Sequence, residues 1–168
     1  MFKETSKELL NFLSKSPTAF HAVENYRQIL NADGFKELLE SEHWDIVPGG
    51  KYYVTRNNTS ILAFKVGTKL DNYSFNIVTS HTDSPTFKVK ENAEIEVKNK
   101  YTQLNTEGYG GMLCATWLDR PLSIAGRVLV SEGNSIVTKL LNIDRDLLMI
   151  PNVAIHMNRA ANDGFKYN

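Results

Sequence analysis

The chain has 168 residues, of which 42% are hydrophobic and 23% charged; this composition builds a core and excludes a disordered or collagen-like chain. Nineteen Lys and Arg balance nineteen Asp and Glu, so no charge excess points to nucleic acid or to an anionic membrane as a partner. The single cysteine, Cys114, excludes an internal disulfide and a Cys-x-x-Cys metal site, and suits a reducing, cytoplasmic compartment.

The N-terminus is charged and amphipathic, without the apolar stretch of a secretory signal. No run approaches the roughly 18 apolar residues of a membrane span. Residues 3–14 carry Leu9, Leu10, Phe12 and Leu13 as the apolar stripe of a first helix. Ser16 and Pro17 predict the start of a second helix, with Ser as N-cap and Pro at the first helical position. Phe20, Val23 and Leu30 follow at helical spacing, and Gly34 is the expected left-handed cap. Residues 35–40 read as a short amphipathic piece of one helical turn or more.

A β-rich section follows. Residues 51–56 and 60–66 predict a hairpin turned at Asn57-Asn58. Residues 67–72 form a polar loop. Residues 73–80, with a short apolar run at 75–79, predict a buried strand. Residues 86–90 and 94–98 alternate with period two, as half-exposed strands do. Tyr109-Gly110-Gly111 interrupts the chain. Residues 124–130 and 135–141 predict a second hairpin, turned at 131–134. Two more apolar segments cover 147–151 and 153–157. A domain boundary is expected near residue 100.

The chemistry centres on Ser80-His81-Thr82-Asp83-Ser84-Pro85, at the end of the predicted buried strand. In an α/β sheet, ligands bind outside the carboxyl ends of strands. In extended chain, residues i and i+2 face the same side, so His81 and Asp83 can address one ion or one water together. A neutral imidazole is a metal ligand, and the carboxylate can orient it or a bound water. The bland alternative is a loop histidine beside an aspartate that closes an Asx turn. His21 and His43 read as ordinary surface or packing histidines, and Asp144 and Asp146 as a solvated turn. The chain has no HExxH, no Glu-Glu pair, no second His-Asp cluster and no Gly-rich phosphate loop. Cys114 has no base beside it to make it a nucleophile. A catalytic zinc commonly takes three protein ligands and keeps one position open, so this corner is incomplete by itself.

Four stretches carry a resemblance, in order: Ser16-Pro17-Thr18-Ala19-Phe20-His21-Ala22-Val23; Thr79-Ser80-His81-Thr82-Asp83-Ser84-Pro85 with Phe87-Lys88-Val89-Lys90; Tyr109-Gly110-Gly111 with Trp117-Leu118-Asp119-Arg120; and Ile150-Pro151-Asn152-Val153-Ala154-Ile155-His156-Met157-Asn158-Arg159. Together they resemble the M18 metallopeptidases, the aspartyl aminopeptidases and their vacuolar and bacterial relatives. The resemblance implies an α/β fold. Residues 1–100 would be the N-terminal part of a zinc-peptidase catalytic domain, and residues 101–168 the beginning of an inserted β-rich assembly domain. It implies removal of one N-terminal residue, often acidic, from a peptide at a two-zinc site in a homo-oligomer. By the same resemblance His81 is a metal ligand. Asp83 is the carboxylate that orients it and assists catalysis. His156 is a substrate-binding histidine that reaches a neighbouring subunit's active site. Trp117, Asp119 and Arg120 are structural. Pro121 departs from the acidic residue the family commonly has after Asp-Arg.

Family members are much longer, and their bridging Asp, general-base Glu, other carboxylate ligands and final His follow the inserted domain. The expectation is therefore a fragment or truncated form with little or no activity alone. The alternatives are a non-catalytic remnant that assembles with a full-length subunit, and an unrelated β-rich binding module with an incidental His-x-Asp.

Overall fold

Two amphipathic helices open the chain, α1 (Phe2–Ser14) and α2 (Ala19–Ala32). The structure, a computed structural model, describes residues 2–72 and 74–163. α2 begins two residues later than Ser16-Pro17 predict. Thr18 is the N-cap: its Oγ1 accepts from His21 N at 3.4 Å and lies 2.8 Å from His21 Nδ1. Ser16 is engaged elsewhere, its Oγ accepting from Asn25 Nδ2 at 2.9 Å. The far end follows the prediction. Gly34 takes φ +79°, and Phe35 N bonds Leu30 O at 2.9 Å, the six-to-one bond of a Schellman cap.

By internal contacts the chain forms two compact units, Met1–Asp83 with Ala125–Asn142, and Ser84–Ile124 with Ile143–Asn168. The first holds a three-stranded sheet whose strands neighbour one another in chain order. β1 (Lys36–Glu37) runs parallel to β2 (Lys51–Arg56), and β3 (Ser60–Lys65) returns antiparallel. Asn57 and Asn58 make the turn with φ 53° and 55°, a left-handed backbone that asparagine tolerates better than most residues. The helical turn expected at 35–40 is instead β1. So short a polar stretch gains more from pairing with β2 than from one isolated helical turn. Arg27 fixes it, bonding Glu37 at 2.8 Å.

The buried residues of this unit sit on α2 and β2. Ala22, Val23, Tyr52 and Tyr53 are the buried hydrophobic residues among those described. Successive side chains on a strand face opposite ways. Tyr53 accordingly reaches α2, where its hydroxyl donates to Asn31 Oδ1 at 3.0 Å. Tyr52 packs on the other face against Phe64, ring centroids 5.6 Å apart. The hairpin of β6 (Ala125–Glu132) and β7 (Ser135–Asn142) belongs to the same unit. Its Arg127 guanidinium stacks 4.3 Å from the Phe20 ring centroid and donates to Asn57 O at 3.1 Å.

The second unit is built on β4 (Thr86–Val97) and β5 (Tyr101–Tyr109), an antiparallel pair. The two strands expected at 86–90 and 94–98 are one strand whose register shifts between Val89 and Glu94. Residue 100, near which the sequence suggests a domain change, lies in the turn between β4 and β5. A short 3-10 helix (Cys114–Trp117) brings Trp117 edge-on to Phe87, centroids 5.4 Å apart. The apolar segment at 147–151 returns to this loop through bridges from Leu148 to Leu122 and Ile150 to Leu118.

Helices with sheets of parallel and antiparallel pairing give the α/β class the sequence implies. The buried strand expected at 73–80 is not formed at 74–80; Tyr73 lies outside the described residues. Phe75, Ile77 and Val78 are 79%, 77% and 97% exposed. A strand exists only through a ladder, and among the described residues no strand pairs with this stretch.

Candidate metal corner and substrate loop

The exposed apolar stretch leads directly into His81. One residue further on, Thr82 Oγ1 donates to Thr59 O at 2.7 Å, which fastens the motif to the start of β3. His81 and Asp83 flank this anchor. His81 Nδ1 lies 2.7 Å from the Asp83 backbone carbonyl and 3.2 Å from Asp83 Oδ1. Both neighbours are acceptors, so Nδ1 carries the hydrogen. The lone pair of the neutral ring is then on Nε2. The His81 side chain is 79% exposed, so that nitrogen is open to a ligand, while the Asp83 side chain is 44% exposed.

A metal-binding histidine uses this arrangement: one ring nitrogen donates to a carbonyl or carboxylate, and the other bonds the metal. The donor set thus fits one imidazole ligand with its orienting partner. It does not make a whole site, since among the described residues no group of three or more His, Cys, Asp or Glu side chains stands together. His81 and Asp83 stand against each other, and the nearer contact is to the Asp83 main-chain carbonyl.

His156 sits in a turn and is exposed. Met157 N and Asn158 N both bond Ala154 O, at 2.8 and 3.1 Å. It is not a strand histidine in a packed sheet. The segment just before that turn is tied to the loop after Trp117. Asp119 Oδ1 accepts from Asn152 N, and Asp119 Oδ2 from Asn152 Nδ2, each at 2.8 Å. Asp119 N in turn bonds Ile150 O at 3.0 Å. These donors hold the Asp119 carboxyl below its ordinary range, the backbone bond contributing most. Asn152 is the residue that sequence reasoning passed over. Thirty-odd residues separate it from Asp119 and no periodicity links them, although both lie in stretches that carry the family resemblance.

The remaining histidines do not join a site. His21 is half-buried, and desolvation lowers its pKa from the ordinary 6.5. His43 is exposed, 3.7 Å from Asp45 Oδ1. A shallow cavity of about 380 Å³ is lined by residues 119–121 and 146–149, which include none of His81, Asp83 and His156.

Residues 12–168 match the model of the family described as aminopeptidase I zinc metalloprotease (M18). A probable M18 family aminopeptidase 2 of Clostridium novyi is 49% identical over 97% of this chain, which spans 38% of that relative's length. The aspartyl aminopeptidase of Dictyostelium discoideum is 47% identical over 97% of the chain and 34% of its own length. In the cryo-EM structure of the Ape4 and Nbr1 complex, the chain superposes with a TM-score of 0.92 at 41% identity, covering 99% of itself and 32% of the other chain. Against the S. cerevesiae mApe1 dodecamer the TM-score is 0.80 at 30% identity, covering 92% of this chain and 37% of that one.

Proposed function

The chain belongs to the aminopeptidase I zinc metalloprotease (M18) family, and from that premise we propose that it contributes one metal corner and one substrate loop to a zinc aminopeptidase. The observation that carries the reading is the paired contact of His81 Nδ1 with Asp83, which leaves Nε2 for a metal.

In this reading His81 binds zinc through Nε2. Asp83 holds the Nδ1 hydrogen, which fixes the ring's tautomer and orientation and raises its basicity as a ligand. Zinc, when bound, supplies a Lewis acid for the scissile carbonyl and a water that ionises near neutral pH. Two ions are proposed for the complete centre. His156, exposed on its turn, binds the peptide substrate, at the active site of a neighbouring copy in a homo-oligomer. The dodecamer among the similar structures supports the assembly. The aspartyl aminopeptidase among the relatives supports an acidic N-terminal residue as the preferred substrate. A cytoplasmic setting is part of the proposal. So is a division of the chain into a catalytic part, residues 1–100, and the beginning of a β-rich assembly part, residues 101–168.

The chain spans little more than a third of these relatives. We therefore expect residues 1–168 alone to show no hydrolysis of an aminoacyl-arylamide, because one imidazole and its orienting carboxylate do not complete a zinc site. The test grafts residues 1–168 in place of the matching segment of the Clostridium novyi relative. The hybrid is expected to hydrolyse aminoacyl-arylamides, fastest with an acidic first residue, and to stop on chelation of zinc. A folded hybrid that binds zinc and yet cleaves none of them would overturn the reading.

A further inference from the structure

We infer that Asp119 is a positioning residue for His156, acting through Asn152. The inference rests on the proposed role of His156 in holding substrate, and it adds the device that sets where that histidine stands.

Three hydrogen bonds join Asp119 to residues 150–152, one from its own N–H and two to its carboxylate. Both carboxylate oxygens are taken by the same residue, one by the Asn152 main chain and one by its side-chain amide. A single main-chain bond would let Asn152 pivot. The second bond fixes its side chain and so the direction in which the chain leaves it. Bonds to an ionised carboxylate are stronger than neutral ones. Asp119 itself holds φ +53°, a conformation that aspartate adopts more readily than most residues and that costs strain elsewhere.

Asn152 is also the last residue before His156 whose described hydrogen bonds reach outside the stretch. Among the described residues, the backbone hydrogen bonds of 153–163 stay within that stretch: Met157 and Asn158 to Ala154, Ala161 to Asn158, and Asp163 to Ala160. By hydrogen bonds among the described residues, the His156 turn is thus internally braced, and its link to the Asp119 loop lies at its beginning, where Asp119 grips Asn152. Loosening that grip swings the turn as a body and changes the surroundings of the His156 ring.

The test uses the 168-residue chain with carbon-13-labelled histidine, whose four ring signals report on His21, His43, His81 and His156 separately. The His156 signal is assigned as the one that vanishes in His156→Gln. Asp119→Ala is expected to shift or broaden the His156 signal and leave the other three in place. Tryptic cleavage after Arg159 is expected to accelerate roughly tenfold, the factor that the loss of two hydrogen bonds allows. The exchange Asp119→Asn with Asn152→Asp is expected to restore both readouts. In it, residue 119 accepts the main-chain N–H through its amide oxygen and donates its amide hydrogen to the new carboxylate. If Asp119→Ala moves all four signals, the milder Asn152→Ala, which keeps the main-chain bond and removes only the side-chain donor, decides by the same outcomes. An unmoved His156 signal with unchanged cleavage in these variants overturns the inference, as does an exchange that restores neither readout. The substrate reading fails separately: His156→Gln in the hybrid enzyme with an unchanged KM would overturn it and leave the positioning result standing.

Discussion

Around Tyr53, α2 and β2 bury four residues, Ala22, Val23, Tyr52 and Tyr53. Around Asp119, none of the described residues is buried; a carboxylate clamp, two main-chain bridges and the Phe87–Trp117 pair hold the loops. The difference is one of physics. Apolar burial is non-directional and sums over area. Hydrogen bonds at an exposed site compete with water and act chiefly to fix geometry. The first region has the means to hold itself together. The second has the means to aim a segment. The candidate residues follow this division: His81 is fastened to the sheet of the first unit through Thr82, and His156 rides on the clamped loop of the second.

The largest effect expected is in the packed region. Tyr53 is 1% exposed, and Tyr53→Ala removes a buried aromatic ring, at a cost of about 3–5 kcal/mol. Chemical denaturation should show the first unit losing its cooperative transition. A transition left at the wild-type midpoint would mean that the α2–β2 contact is not its core. Val23 is fully buried, and Val23→Ala should cost about 2 kcal/mol by the same measurement. Tyr53→Phe keeps the ring and loses the bond to Asn31, which should cost about 1 kcal/mol. Asp119→Ala should leave the denaturation midpoint where it is, while loosening the His156 turn. A large drop in midpoint would erase the contrast between the regions.

The smallest effect is a pH dependence. Burial lowers the His21 pKa in the folded state, so the unfolded chain binds more protons as the solution is acidified. Stability is full above the ordinary histidine value near 6.5. It falls as the pH drops from there toward the lowered folded value. His21→Gln should flatten that slope in a series of denaturation curves. An unchanged slope would assign the dependence to another group.

The packed region was also the more legible one. α1, α2 and the β2–β3 hairpin announce themselves by helical spacing, by alternation and by the Asn57-Asn58 turn, because local pattern and burial there agree. β1 was not legible: two residues paired to a distant strand leave no periodicity, and Glu37 is held by Arg27 and Tyr53 rather than by its neighbours. The stretch at 75–78 misled in the other direction. Its apolar run is that of a strand covered on both faces, yet such a run becomes a strand only where partner strands meet it. Within the candidate sites, His81 and Asp83 were legible because two positions in an extended chain suffice to bring them together. The Asp119–Asn152 clamp was not, since it joins two loops through a fold that no local pattern encodes.

The most direct measurement of the central claim is zinc bound per chain in the hybrid enzyme, titrated at fixed free zinc for wild type, Asp83→Asn and His81→Ala. The expected result is that His81→Ala loses the ion its imidazole holds and its hydrolysis falls by at least about a hundredfold. Asp83→Asn keeps the same number of ions with affinity weakened about 10–100-fold, as for other partners that orient a metal-bound histidine. Wild-type zinc content and affinity in His81→Ala would contradict the assignment of this motif as a metal corner.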